Sequence, residues 1–426
     1  MYIKREIEKE IEPFLARPEA ISIIGSRQAG KTTLLKYLKD KLEKKITLKS
    51  KDKKSVKYIN FEKRSDLELF QNSINDFKDL IKKYKVVIID EFQYAKDGGQ
   101  KLKYLYDETN IKFIISGSSS LELTFQTGKY MVGRLINFTL YPFSFLEYLS
   151  FTDLEIHELL KERIGNIFSL DFKINKSFGF EVNQRLEKLF FQYLTYGGYP
   201  AVVLSKNDQV KQKILENLFN TYLLKDVKSL LQLATDDELV KLVKYLATQI
   251  GSLISYKELS NNANLNHKSL IKHLEILRKT YIIDLIKPYF KNKQTELSKN
   301  PKPYFIDLGL RNYSLTNFKD YNSLTDDLGY LVENYVYLSL QRNSKLPSNV
   351  NFWRTKSGAE VDFVIENNGG LLPIEVKYSN NPQIGKSLYS FINKFSPKEA
   401  YVLNRGFVGE KMIEGCRIKF VPVYYV

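Results

Sequence analysis

The residues whose types and spacing point most directly to chemistry are Gly25-Ser26-Arg27-Gln28-Ala29-Gly30-Lys31-Thr32, followed by Thr33. The pattern G-x-x-x-x-G-K-[ST] is that of a phosphate-binding loop. Glycines let the backbone wrap close to an anion, and loop amides and the following helix N-terminus point at negative charge. Lys31 is expected to reach the β- and γ-phosphates of ATP, and the Thr32 hydroxyl to ligate Mg²⁺. Farther along, the apolar run Val86–Ile89 ends in Asp90-Glu91. Two carboxylates there divide the work, Asp90 holding Mg²⁺ through water and Glu91 orienting the attacking water. The next apolar run ends in Ser116-Gly117-Ser118, which puts Ser118 beside the γ-phosphate as a polar sensor, with a plain turn as the alternative.

These groups need a scaffold that holds strand ends side by side. Short apolar runs at Ile21–Ile24, Val56–Phe61, Val86–Ile89, Phe113–Ile115 and Leu135–Leu140 alternate with helical stretches. Near-continuous apolarity is what strands buried on both faces require, so the fold class is α/β with a parallel-sheet core. The phosphate loop follows the first of these strands and opens the amphipathic run Leu34–Leu38, the strand–loop–helix setting that the chemistry demands. The Lys-dense segment 41–57 reads as a solvated loop between the first helix and the second strand.

Length and composition bound what surrounds that core. A chain of 426 residues, 43% hydrophobic and 27% charged, supports several packed domains and not a disordered protein. Its +16 charge favours polyanionic partners, although Lys-rich surfaces also serve solubility. The one cysteine, Cys416, excludes an intramolecular disulfide and fits a reducing compartment, so a cytoplasmic location is expected. No apolar run of membrane-spanning length occurs, and three histidines leave little room for a histidine metal centre or relay.

Beyond the core, 145–233 reads as helical, broken by the turn Tyr196-Gly197-Gly198-Tyr199-Pro200. Helices over 236–250, after Ser255, and over His267–Thr280, with strands 281–286 and 304–306, make a winged helix-turn-helix. Its third helix is expected to bury Leu270, Ile271, Leu274 and Leu277 and to turn Lys268, Lys272 and Lys279 the other way, toward DNA phosphates or simply solvent. A helix over 328–341 and strands near 351–354, 359–365 and 371–378 begin a terminal α/β domain. The expected division is an ATPase core over 1–150, a helical lid over 151–235, the winged unit over 236–315 and the terminal domain over 316–426.

Taken with Asp90-Glu91-Phe92-Gln93, Gly133-Arg134, Tyr141–Glu147, Tyr196–Pro200, Leu224–Val227, Pro301–Leu310 and Pro373-Ile374-Glu375-Val376-Lys377, the phosphate loop resembles one family. It is that of prokaryotic AAA-type P-loop ATPases carrying a winged helix and a C-terminal domain of unknown function with a restriction-endonuclease-like fold. The resemblance implies that Arg134 contacts the γ-phosphate in its own chain or as a finger from a neighbour, with a structural ion pair as the alternative. In the terminal domain, Asp362, Glu375 and Lys377 then form a D…E-x-K constellation, in which two carboxylates bind Mg²⁺ and the lysine steadies water. Glu333 can add a fourth polar group; a degenerated nuclease kept for binding is the alternative. The reading is a Mg²⁺-dependent ATPase coupled to a DNA-associated module. Its rivals are a nucleotide-gated regulatory switch or scaffold that binds protein partners, and an ATP-licensed nuclease; the partners expected are ATP, DNA, and either further copies of this chain in a homo-oligomer or another protein.

Overall fold

The computed structural model describes residues 2–47, 55–117, 130–164, 178–231, 236–292, 294, 296, 299–318, 327–343, 350–367 and 370–426. They fall into two units, Met1–Phe143 with Lys279–Ile282, and Ser144–Arg278 with Ile283–Val426. Apart from Lys279–Ile282, the three expected regions beyond the core therefore fall in the second unit.

The first unit is built on five parallel strands: β1 (Ala20–Gly25), β2 (Val56–Asn60), β3 (Val86–Asp90), β4 (Lys112–Ser116) and β5 (Leu135–Leu140). Their order is β2-β3-β4-β1-β5. Every residue of β1 and β3 is buried, because helices cover both faces of the sheet and one apolar cluster forms on each side. This order inserts β4 between the strand that feeds the phosphate loop and the strand that ends in Asp90. The C-terminal ends of three strands thus converge on one edge, which is where open α/β sheets bind ligands.

The helix after the loop runs from Lys31 to Thr47, so the first part of the 41–57 segment is helical and not loop. Buried Leu38 and Leu42, with Ile46 packed against the same core, explain the correction: their i, i+4 spacing continues the inner face beneath the lysines.

In the second unit, helices Asp237–Thr248, Tyr256–Ala263 and His267–Lys279 precede a two-stranded antiparallel hairpin of β6 (Ile283–Ile286) and β7 (Lys302–Phe305). In the third helix Leu270, His273, Leu274, Ile276 and Leu277 are buried, whereas Ile271 is 40% exposed. The expected burial of Ile271 is therefore corrected: the i, i+3, i+4, i+7 stripe starting at Leu270 turns Ile271 to its flank.

The helix Leu328–Arg342 leads into a six-stranded mixed sheet of β8 (Val350–Arg354), β9 (Glu360–Asn367), β10 (Gly370–Lys377), β11 (Glu399–Asn404), β12 (Gly409–Ile413) and β13 (Cys416–Pro422). Its order is β12-β13-β11-β10-β9-β8, with β10, β11 and β13 parallel and a helix, Lys386–Phe395, between β10 and β11. Two motifs of the sequence meet in this unit. Asp307 accepts hydrogen bonds from the Gly198 amide at 2.7 Å and the Leu310 amide at 3.0 Å, so one carboxylate caps a helix and pins the Tyr196–Pro200 turn. Gly197 has φ 73°, and a Cβ there would lie 2.2 Å from Asp307, which makes glycine obligatory.

Candidate functional site

The loop between β1 and the Lys31 helix has the backbone form of an anion cradle. Gln28 and Gly30 adopt left-handed φ values of 60° and 98°, and such turns gather amides into a concavity. Gly25 has φ 139°, and a Cβ there would meet the Leu140 carbonyl oxygen at 2.1 Å, so the loop leaves β1 against the end of β5 only as glycine. Lys31 is buried, and its Nζ donates to the carbonyl oxygens of Gly25 at 3.0 Å and Ser26 at 2.8 Å. Burial pushes its pKa down to about 8, against the opposing pull of Glu91 and Asp90. The ammonium is thus docked on the loop itself, at the place where phosphate oxygens are to be met.

Asp90 ends β3 fully buried. Its oxygens accept from the Tyr58 hydroxyl at 2.7 Å, from the Ser116 hydroxyl and from the Glu91 amide at 3.1 Å. Ser116 Oγ also accepts from the Glu91 amide at 3.3 Å. Glu91 stands in left-handed backbone at φ 55°, an uncommon conformation for a residue with a side chain, held by this net. Gln93 donates to its carboxylate. Burial raises the Glu91 pKa, the Gln93 hydrogen bond opposes the rise, and the charge of Asp90 adds to it. A carboxylate with a raised pKa is the better proton acceptor at neutral pH. The donor set fits Mg²⁺: Asp90 offers a fixed carboxylate oxygen, and Thr32 a hydroxyl on the adjoining helix.

Arg5 and Tyr58 support this site without belonging to any motif of the sequence. Arg5 is buried and donates from its guanidinium to Ala29 O at 3.0 Å and Tyr141 O at 2.7 Å, with its Cζ 4.6 Å above the Phe143 ring. It ties the middle of the phosphate loop to the chain beyond β5. Tyr58 and Ser116 brace Asp90; Ser116 opens the quoted Ser116-Gly117-Ser118 motif, whereas the signal for Tyr58 was position alone, near the C-terminal end of a strand neighbouring β3. Ser118 lies outside the described residues.

Arg134 is not beside the loop. It precedes β5, and parallel pairing aligns Leu135 with Ala20 and Leu140 with Gly25. The six residues of β1, at about 3.3 Å per residue, set the two ends about 17 Å apart. Arg134 instead pairs with Asp107 at 3.1 Å, both side chains partly exposed. Contact with the γ-phosphate of its own chain is therefore corrected, because the strand direction puts Arg134 at the opposite edge of the sheet.

In the second unit, Asp362 on β9 accepts from the Val376 amide of β10 at 2.8 Å, and Lys377 Nζ lies 3.0 Å from Glu375 Oε1. Glu333 accepts from the Tyr304 hydroxyl at 2.6 Å. Among these groups stands an unforeseen cation: buried Lys302 lies 2.5 Å from Glu360 and 3.4 Å from Glu333. Burial would lower its pKa, but Glu333, Asp362 and Glu360 outweigh that and hold it above the usual value. Burial also raises Asp362 and Glu375, and takes Glu333 to about 7. Glu375 Oε2 is buried without a hydrogen-bond partner. Among the described residues, no three His, Cys, Asp or Glu side chains form a group that could hold a metal. Asp362, Glu375 and Lys377 thus share one face of the sheet, and Glu333 comes from the helix Leu328–Arg342, with Lys302 supplying positive charge.

Comparison with known proteins agrees with this geometry. Residues 17–149 match an AAA domain, residues 187–321 a domain of unknown function (DUF8612), and residues 328–425 a domain of unknown function (DUF4143). The chain is 23% identical over 414 residues to an uncharacterized protein of Haemophilus influenzae, spanning 95% of this chain and 92% of that one. It is 28% identical over 351 residues to an uncharacterized protein of Methanocaldococcus jannaschii, spanning 79% and 68%. Among solved structures, the Aeropyrum pernix ORC2 protein in ADPNP–ADP complexes overlays with a TM-score of 0.36 at 14% identity, over 67% of this chain and 89% of that one. The family matches thus place an AAA-domain likeness in the first unit and a DUF4143 likeness at the end of the second. Among the described residues, no helix is long and apolar enough to cross a membrane.

Proposed function

We propose that this chain is a Mg²⁺-dependent ATP hydrolase that couples its nucleotide state to a DNA-associated module. The observation that carries the reading is the convergence of the loop lysine, a braced aspartate and a raised-pKa glutamate at the C-terminal ends of two parallel strands, β1 and β3, that flank β4. Loop amides and Lys31 bind the phosphates; Lys31 exchanges its two carbonyl partners for phosphate oxygens. Thr32 and Asp90 would hold Mg²⁺, which neutralises phosphate charge when bound. Glu91 accepts the proton of the attacking water as its oxygen bonds to phosphorus and the bond to ADP breaks. Arg134, half-exposed at the other edge of the sheet and paired with Asp107, would reach phosphate only in a neighbouring subunit.

Association with DNA rests on the three-helix-and-hairpin arrangement, whose third helix exposes Lys268 and Lys272, and on the +16 charge. Hydrolysis measured with and without single-stranded, duplex and branched DNA tests the coupling. Stimulation that falls steeply with salt is expected. Slow turnover indifferent to every DNA form would instead make the protein a nucleotide-gated switch.

A second reading, nucleic-acid cleavage by the terminal domain, is favoured by the partnerless Glu375 Oε2 beside Asp362 and Lys377. Weak nicking with Mg²⁺ or Mn²⁺ that Asp362→Ala or Lys377→Ala removes, while ATP hydrolysis persists, is its signature. No cleavage of DNA or RNA with either metal would end it.

A further inference from the structure

A cleft of about 1050 Å³ in the second unit lies away from the acidic cluster's buried heart and is shaped by residues 288–292 and 299–300, β8 and the end of the helix Lys386–Phe395. Its volume is at the upper limit of pockets that hold one small molecule, roughly 300–1000 Å³. The rim is basic: Lys291, Lys299, Arg354, Lys356 and Lys394 line it and, among the described residues, no Asp or Glu does, while Glu296, outside the lining, accepts a hydrogen bond from the Phe290 amide at 3.3 Å. All five are exposed. Arg354 is paired with Glu360 at 2.6 Å, but the lysines form no ion pair among the described residues.

The floor is aromatic. Phe290, Trp353 and Phe395 line it, Trp353 meets Phe395 edge-on at 6.0 Å, and Lys394 Nζ sits 5.7 Å from the indole centroid. Uncompensated cations around apolar rings call for a ligand that brings regularly spaced negative charge and flat apolar faces together. A peptide strand could supply charge, but it would need a free sheet edge for its backbone. At β8 that edge is taken: Phe352 O accepts from the Tyr289 amide at 2.5 Å, and the Phe352 amide donates to Lys287 O at 3.2 Å. Duplex DNA brings the phosphates but keeps its base faces stacked inside.

We propose that this cleft binds single-stranded nucleic acid, with phosphates along the lysine rim and bases against the aromatic floor. Backbone-tracking cations with stacking rings are the combination that binds single strands without reading sequence. The proposal deepens the DNA-associated reading and rests on it, naming the nucleic-acid form and the surface that takes it.

Trp353 is the chain's one tryptophan, so its emission reports directly from the cleft. The test is titration of the full chain with labelled oligothymidylate, read by anisotropy and by Trp353 emission, over a range of salt. The K356E/K394E double variant and Phe290→Ala are compared with wild type. Wild type should bind the oligomer more tightly than duplex of equal length, with a change in Trp353 emission. Losing two phosphate contacts should weaken binding at least tenfold and reduce the slope of log K against log salt by about 1.4, at about 0.7 per contact for single strands. Losing one stacking ring should weaken binding by about 5- to 150-fold. ATP hydrolysis without DNA and the melting temperature should be unchanged in each variant. Oligomer binding that survives all these substitutions would overturn the cleft while leaving the DNA-associated reading intact. Failure of wild type to bind any nucleic acid would remove both. Displacement of the oligomer by polyglutamate at equal charge concentration would overturn the proposal in favour of an acidic polypeptide.

Discussion

Raising the pH should weaken ATP binding at a point set by Lys31. In the nucleotide-free loop the ammonium has only two carbonyl partners, and burial brings its pKa down to about 8. Phosphate oxygens favour the charged form, so binding returns the pKa at least to the ordinary value near 10.4. ATP therefore binds the protonated fraction, about nine-tenths of the protein at about pH 7 and about one-tenth at about pH 9. Affinity should fall about tenfold across that interval, or about 1.4 kcal/mol. The sign in the free protein is opposite. Its folded-state lysine binds a proton less tightly than the unfolded one, so stability rises as pH climbs from about 8 toward 10.4. Titration of a fluorescent ATP analogue across this range reads the effect, and calorimetry in buffers of different ionisation heat reads the accompanying proton uptake. The phosphates have finished titrating by then, with a second pKa of about 6. Affinity that stays flat to about pH 9, with no proton uptake, would refute the buried, depressed lysine.

Glu91→Gln should keep ATP affinity and slow hydrolysis by about 10²–10⁴-fold, the usual contribution of a positioned base; phosphate release and nucleotide binding measured together check it, and loss of affinity would make Glu91 structural. Arg5→Ala removes two charge-assisted hydrogen bonds to carbonyls. At about 1.5 kcal/mol or more each, the change should lower the denaturation midpoint and raise the KM for ATP more than it lowers kcat. Mixing Arg134→Ala with Lys31→Ala protein should restore part of the ATPase activity if Arg134 reaches a neighbour's phosphate, and confirmed co-assembly without recovery would leave it the structural partner of Asp107. Burial raises the Glu333 carboxyl to about 7, so the stability it lends is greatest below about pH 4.5 and is lost as pH climbs toward 7. Glu333→Gln should remove that decline from denaturation curves measured against wild type.

Much of the first unit was legible because its signals are local. A strand buried on both faces must be apolar throughout, and the runs at 21–24, 86–89 and 135–140 became β1, β3 and β5 with ends moved by at most one residue. The phosphate loop and Asp90-Glu91 were readable because glycines and acids must stand at those strand ends. Arg5 was not, since one arginine in an alternating charged stretch has no spacing to betray that it folds under the loop. Arg134 was misplaced for a different reason: proximity in sequence to β5 says nothing about which edge of the sheet a residue occupies until strand direction is known. Alternation on β9 and β10 foretold the shared face of Asp362 and Glu375, but the ammonium that pairs with Glu333 and Glu360 comes from Lys302 on a separate hairpin. Flanked by Pro301 and Pro303, Lys302 offers no periodic sign of burial.

The account stands most directly on phosphate release from ATP by the full chain, comparing wild type with Lys31→Ala in Mg²⁺ and with the metal chelated. Turnover by wild type in Mg²⁺, lost on chelation and reduced to background in Lys31→Ala protein that melts like wild type, is the predicted result. Equal turnover by the Lys31→Ala protein, or none by wild type in Mg²⁺ with every DNA form supplied, would contradict it.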